Sequence, residues 1–184
     1  MPTLYFVRHG KTIMNEKALW SGRTDCEITE KGRMAVEENF KEYTAKDFDV
    51  FYCSPLKRTY QTLQAIVGCT VEPIIDKRII ERDFGDWEGK TYSIIDDETT
   101  ELYIQGKVDP PNGESYLEVR NRVIDFVTDL FKTYKSNESI LIVAHATILR
   151  MVRDVFLPEM QKRPIKNSQL IVINNENFKS FLKG

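Results

Sequence analysis

The chain has only two histidines, and each closes an apolar run. His9 ends Leu4-Tyr5-Phe6-Val7-Arg8-His9, and His145 ends Ile140-Leu141-Ile142-Val143-Ala144-His145. An imidazole titrates near neutral pH, so its neutral ring serves as a nucleophile or proton carrier. Taken singly, either histidine reads equally well as an ordinary residue beside a core strand. Their shared setting, with Arg8 directly before His9 and Arg58 further on, points to an anion such as phosphate. The planar fork of arginine matches phosphate oxygens. Moving a phosphoryl group to a ring nitrogen needs positive charge around its equatorial oxygens, an in-line nucleophile and a proton for the leaving alkoxide. The stretch Glu81-Arg82-Asp83-Phe84-Gly85-Asp86-Trp87-Glu88-Gly89 holds four candidate acids. Glu81 follows Ile79-Ile80, where partial burial favours the protonated form of a carboxyl group. The plain alternative is a surface carboxylate paired with Arg82, and position alone does not separate Glu81, Asp83, Asp86 and Glu88.

The elements that must position these residues alternate along the chain. Apolar runs of strand length fall near 3–7, 48–53, 71–75, 139–144 and 169–173. They lack strict alternation, which suits strands buried on both faces. Helices are expected near 30–44 after the N-cap Thr29, and near 55–67 with Ser54 as N-cap and Pro55 at the first helical position. Another is expected near 115–134, opened by a Ser115–Glu118 capping box, and a fourth near 147–157, ending before Pro158. The stripe Val119, Val123, Phe126, Leu130 and Tyr134 reads as core. The predicted fold class is α/β: a three-layer α/β/α sandwich with a mostly parallel central sheet. In such sheets ligands bind beyond the carboxyl ends of the strands. Arg8, His9, Arg58 and His145 would then meet at one sheet edge, beside a helix N-terminus that favours anions.

At 184 residues the chain is expected to form a single domain over 1–184, with a small cap near 86–117. Asp96-Asp97-Glu98 within that stretch reads as a solvated acidic face. No apolar stretch approaches the roughly 20 residues that span a bilayer, and Met1-Pro2-Thr3 has no signal-peptide character, so no membrane partner is expected. Cys26, Cys53 and Cys69 have no CxxC spacing, which argues against a disulfide framework or cysteine zinc site and fits a cytoplasmic protein. No HxH or HExxH spacing suggests a metal. A net charge of -2 gives no expectation of a nucleic-acid partner, so an anion site must be local.

The ordered motifs resemble the histidine phosphatase superfamily, in the branch of cofactor-dependent phosphoglycerate mutases and related small phosphatases. The resemblance rests on Arg8-His9-Gly10, Asn15 with Ser21-Gly22, Thr29-Glu30-Lys31-Gly32, and Ser54-Pro55-Leu56-Lys57-Arg58-Thr59-Tyr60-Gln61-Thr62. It continues through Glu81-Arg82-Asp83-Phe84-Gly85, Trp87-Glu88-Gly89 and Val143-Ala144-His145. It implies a phosphoglycerate mutase-like fold and a histidine acid phosphatase-type phosphomonoesterase acting on a small phosphorylated metabolite. His9 would become phosphohistidine, with Arg8, Arg58 and His145 holding the phosphoryl oxygens. Asn15, the backbone of Ser21 and Gly22, and the N–H of Ala146 would add contacts. Glu81 would protonate the leaving oxygen and then activate water. The arginines would supply the charge a metal brings elsewhere, so neither metal nor cofactor is implied.

Two positions depart from the pattern. Lys11 stands where relatives usually carry Glu or Gln, either as a cation beside the nucleophile or pointing to solvent. Ala146 replaces a glycine. The alternative activity is a mutase, which returns the phosphoryl group to the substrate. Mutases of this family carry an inserted basic segment, whereas Gly85 to Ser115 holds only Lys90 and Lys107 as cations. Water is therefore the expected acceptor. A non-catalytic phospho-ligand module has no need of both a nucleophile and an acid.

Overall fold

A computed structural model describes all residues except 136, 161, 162 and 184. Its sheet has five strands: β1 (Thr3–Arg8), β2 (Val50–Cys53), β3 (Ile74–Ile75), β4 (Ser139–Ala144) and β5 (Leu170–Ile173), in the order β3-β2-β4-β1-β5. Four strands run parallel, and β5 lies antiparallel on β1. The α/β expectation therefore holds, with the sheet mostly parallel.

Side-chain alternation on β4 explains the layering. Ile140, Ile142 and Ala144 join Leu4, Phe6, Val123, Phe126, Ile148 and Val152 in one core. Leu141 and Val143 join Val7, Val36, Phe40, Leu63 and Ile66 in the other. Helices α2 (Glu30–Asn39) and α3 (Lys57–Val67) thus cover one face. The other is covered by α5 (Tyr116–Thr133), α6 (Ala146–Phe156) and α7 (Asn175–Phe181). A strand buried on both sides shows no polar alternation, which is why β4 reads as a continuous apolar run.

Local signals set several boundaries. Thr29 caps α2 by accepting from the Gly32 N–H, and Ser115 and Glu118 form the expected capping box on α5. Three expectations shift. The helix expected to 44 ends at Asn39, with Phe40 as its C-cap. The helix expected from 55 begins at Lys57, with Leu56 at the cap position and no side-chain cap bond. Ser54 is not its N-cap; its hydroxyl accepts from His145 and, at 3.4 Å, from the Leu56 N–H ahead of the helix. Finally, Asp96, Asp97 and Glu98 are exposed, as a solvated acidic face requires, but Asp96 also caps a helix that was not expected, α4 (Asp97–Ile104), accepting from the Thr99 N–H. Asp97 and Glu98 then lie in the first turn, where the dipole favours acids. The short helix α1 (Ile13–Glu16) and α7 were also not anticipated.

No described helix is long and apolar enough to cross a membrane.

Candidate active site

Parallel pairing brings the two histidines together. Arg8 on β1 pairs with Ala144 on β4, so His9 and His145 leave adjacent strand ends side by side. The His9 N–H donates to the Ala144 carbonyl at 3.0 Å, and the imidazole centroids stand 5.3 Å apart. Both rings are buried, His9 at 4% exposure and His145 at 0%.

His9 presents a defined tautomer. Its Nδ1 lies 2.7 Å from the Gly10 carbonyl oxygen. A carbonyl only accepts, so Nδ1 carries the proton and the neutral ring keeps its lone pair on Nε2. Burial, then the nearby Arg58 and Arg8 charges, hold its pKa well below the ordinary value. The backbone around it is held from α3: the Gly10 N–H donates to Thr62 Oγ1 at 2.8 Å, and Thr62 in turn donates to the Arg58 carbonyl. Asn167 Nδ2 donates to both the His9 carbonyl and Asn15 Oδ1, tying Asn15 to the nucleophile loop.

Arg58 enters from the first turn of α3. Its Nη2 donates to the Gly22 carbonyl at 2.7 Å, its Nη1 to the Thr24 carbonyl at 2.9 Å, and its Nε to His145 Nδ1 at 3.3 Å. That last bond fixes the second tautomer: Nδ1 accepts, so Nε2–H donates to Ser54 Oγ at 2.7 Å. Burial, followed by the nearby Arg58 charge, keeps the pKa of His145 well below its ordinary value. Arg8 donates to the Ile165 carbonyl at 2.5 Å. Burial lowers its pKa, opposed by Glu81 and Tyr92, and a guanidinium stays charged throughout the physiological range.

The four candidate acids separate. Glu88 is spent on the loop: its Oε1 accepts from the Gly22 and Arg23 N–H groups, and its Oε2 from the Thr24 hydroxyl. Asp83 accepts from the Gly85 N–H, and Asp86 meets Asn112 at the surface. Only the Glu81 carboxylate reaches α6, accepting from the Thr147 N–H at 3.3 Å through Oε2 and from the Arg82 N–H at 2.8 Å through Oε1. It is 4% exposed, and Arg82 pairs with Asp109 instead of with it. The surface-pair alternative for Glu81 is thereby corrected.

Ala146 opens α6, so its N–H lacks an intrahelical acceptor. Its φ is not positive, so alanine costs no backbone strain there. Lys11 is exposed to solvent. Gly22 serves differently from expectation: its N–H goes to Glu88 and its carbonyl to Arg58, so the loop grips the arginine. A Cβ at Gly22 would stand 2.1 Å from the Arg82 carbonyl oxygen, so only glycine fits. Ser21 accepts more weakly from Arg58 through its carbonyl at 3.5 Å.

Several positioning residues escaped the sequence reading. Ser54 orients His145, and Glu88 clamps the loop that holds Arg58. Glu114 anchors Arg122 and Arg23, which donate to the carbonyls of Ile80 and Glu81 respectively. Burial pushes the Glu114 pKa up, but the Arg122 bond and the two charges outweigh it, and the net shift is downward. Among the described residues no group of three or more His, Cys, Asp or Glu is placed to hold a metal ion.

This geometry accompanies a clear kinship. A family model for the histidine phosphatase superfamily, branch 1, matches residues 4–182, and the chain belongs to that family. It is 29% identical over 192 residues to the putative phosphoserine phosphatase 2 of Hydrogenobacter thermophilus, covering 99% of this chain and 94% of the relative. It is 33% identical over 165 residues to a 2,3-bisphosphoglycerate-dependent phosphoglycerate mutase of Bartonella bacilliformis, covering 80% and 78% of the two chains. Among solved structures it resembles the phosphoserine phosphatase of Entamoeba histolytica in complex with phosphoserine. That match has a TM-score of 0.79 at 26% identity and covers 94% of this chain and 90% of that one.

Proposed function

We propose that this protein is a phosphomonoesterase of the histidine acid phosphatase type, hydrolysing a small phosphorylated metabolite through phosphohistidine. The observation that carries the reading is the His9 tautomer. A neutral, buried ring with its Nε2 lone pair unprotonated, beside two arginines, is an activated nitrogen nucleophile.

The steps follow from the neighbours. His9 Nε2 attacks phosphorus in line, and the ester oxygen leaves. Arg8 and Arg58 offset the charge on the equatorial oxygens, and the donors of Asn15 and the Ala146 N–H add contacts. His145 orients Arg58 and turns its Nε2–H from Ser54 toward a phosphoryl oxygen. Glu81 gives its proton to the departing alkoxide. Its carboxylate then takes a proton from water as that water attacks phosphohistidine, which restores both groups. A cytoplasmic setting agrees with three unpaired cysteines.

The relative named as a mutase supports a second reading, in which phosphohistidine returns its group to a substrate hydroxyl. The short, cation-poor stretch from 85 to 115 favours water. Incubation with 3-phosphoglycerate and a bisphosphoglycerate primer separates the two. The expected product is inorganic phosphate; rapid formation of 2-phosphoglycerate without phosphate release would overturn the phosphatase reading.

A further inference from the structure

The turn before β5 is fastened to the nucleophile loop. The Gln169 N–H donates to the Lys166 carbonyl at 3.2 Å, closing a β-turn with Asn167 and Ser168 at its centre. Gln169 Oε1 accepts from the Lys166 N–H at 2.8 Å and locks the same turn. The Arg8 N–H donates to the Gln169 carbonyl at 3.0 Å, and the Ser168 N–H to the Arg8 carbonyl at 3.1 Å. Arg8 Nη1 reaches the Ile165 carbonyl from the other side. Ser168 holds a φ of 58°, a left-handed conformation that glycine or asparagine adopts more readily. Such strain persists only where the surroundings impose it, and it gathers at functional sites.

The turn sets the Asn167 side chain between the nucleophile and Asn15. Asn167 Nδ2 donates to the His9 carbonyl at 3.1 Å and to Asn15 Oδ1 at 3.2 Å. The His9 carbonyl only accepts, so Asn167 must face it with its nitrogen, and that nitrogen then demands an oxygen from Asn15. The Thr12 N–H, which only donates, demands the same. It reaches Asn15 Oδ1 at 3.2 Å within the capping box of α1. Asn15 Oδ1 thus has both acceptor positions filled. Its Nδ2 makes no hydrogen bond among the described residues, so both of its protons remain available. Asn167 has the opposite balance, with both amide protons spent and no donor left for a substrate.

We infer that Asn167 is a positioning residue for phosphoryl transfer: it fixes the polarity of the Asn15 amide, so that Asn15 Nδ2 donates to the phosphoryl oxygens. The inference rests on the phosphatase reading. The two ends of an amide have nearly the same shape, so hydrogen-bond partners alone decide which end faces an anion. A reversed Asn15 would set its donors against the Thr12 N–H and Asn167 Nδ2, and would turn an acceptor oxygen where the free donor stands. Asn167 and the Thr12 N–H together exclude that state.

A double-mutant cycle, read as kcat/KM on p-nitrophenyl phosphate, provides the test. Asn167→Ala should lower kcat/KM by about 10-fold, the scale of one misdirected hydrogen bond. In an Asn15→Ala background the same change should cost about 2-fold or less, because effects that share one path do not add. An equal loss in both backgrounds is what a purely structural role gives, and it would overturn the inference. Side-chain amide NMR of the wild type decides the matter even where a variant does not fold. Inorganic phosphate should shift the Asn15 Nδ2–H signals and leave those of Asn167 nearly in place. Larger shifts at Asn167, or none at Asn15 while the His9 ring responds, would overturn the inference and leave the phosphatase reading standing. No response at either His9 or Asn15, with no phosphate released from p-nitrophenyl phosphate, would refute both.

Discussion

His9 owes its chemistry to the Gly10 carbonyl, which accepts from its Nδ1–H, and to burial, which together with the nearby Arg58 and Arg8 charges keeps the ring neutral. His9→Ala should abolish turnover while leaving the circular dichroism spectrum unchanged; activity near wild type would remove His9 from the mechanism. Arg58→Ala should lower kcat by on the order of 10²–10³, the scale for losing one transition-state donor. Glu81→Gln should slow alkyl phosphates far more than aryl phosphates, whose leaving groups need less protonation. Equal losses on both, measured as kcat/KM, would take the acid role away from Glu81. At this scale His9, Arg58 and His145 were legible because they lie at strand ends or a helix start, whereas Glu81 lies in a loop and only the family resemblance singles it out. The residues that aim them were not legible. Ser54 meets His145 across 91 positions, Glu88 meets Gly22 across 66, and Asn167 meets His9 across 158. Polar residues in turns carry no periodic signal of such distant partners.

At the scale of elements, most of the sheet was readable because its central strands are apolar on both faces. β4 was placed at its observed bounds, Ser139–Ala144. Errors gathered where a side chain has a tertiary job. Ser54-Pro55 has the form of a helix start, yet Ser54 serves His145 and the helix opens two residues later. Helix α4 was hidden because it buries one residue and so lacks an apolar stripe. Contact between α2 and the nucleophile loop also yields a prediction. A Cβ on Gly32 would stand 2.3 Å from the Lys11 carbonyl oxygen. Alanine improves helix propensity by about 1 kcal/mol, but overpacking costs about 1–3 kcal/mol and here displaces backbone next to His9. Gly32→Ala should therefore lower both the melting temperature and kcat/KM. A variant that is more stable and fully active would show that α2 does not fix the loop.

Across the whole molecule, a chain of net charge -2 assembles Arg8, Arg58 and two neutral imidazoles at one sheet edge. That concentration has a consequence for stability. Unfolded histidines take up protons as pH falls through about 6.5, whereas the buried rings of His9 and His145 resist protonation until well below it. The unfolded state then binds more protons, so stability is fully present above about pH 6.5 and is lost as pH falls below it. Urea midpoints should fall between pH 7 and 5, and His9→Gln with His145→Gln should flatten that slope. An unchanged slope would mean the rings titrate normally in the folded protein. The same depressed pKa should keep the acid limb of kcat/KM below pH 6.5.

The central claim is that His9, and not His145, carries the phosphoryl group. Its most direct test is to mix the enzyme with substrate, quench within the first turnover into alkali, where phosphohistidine survives, and locate the modification by peptide mass spectrometry. The account predicts phosphate on His9 in the wild type and none in His9→Ala. Phosphate on His145, or its persistence in His9→Ala, would contradict it.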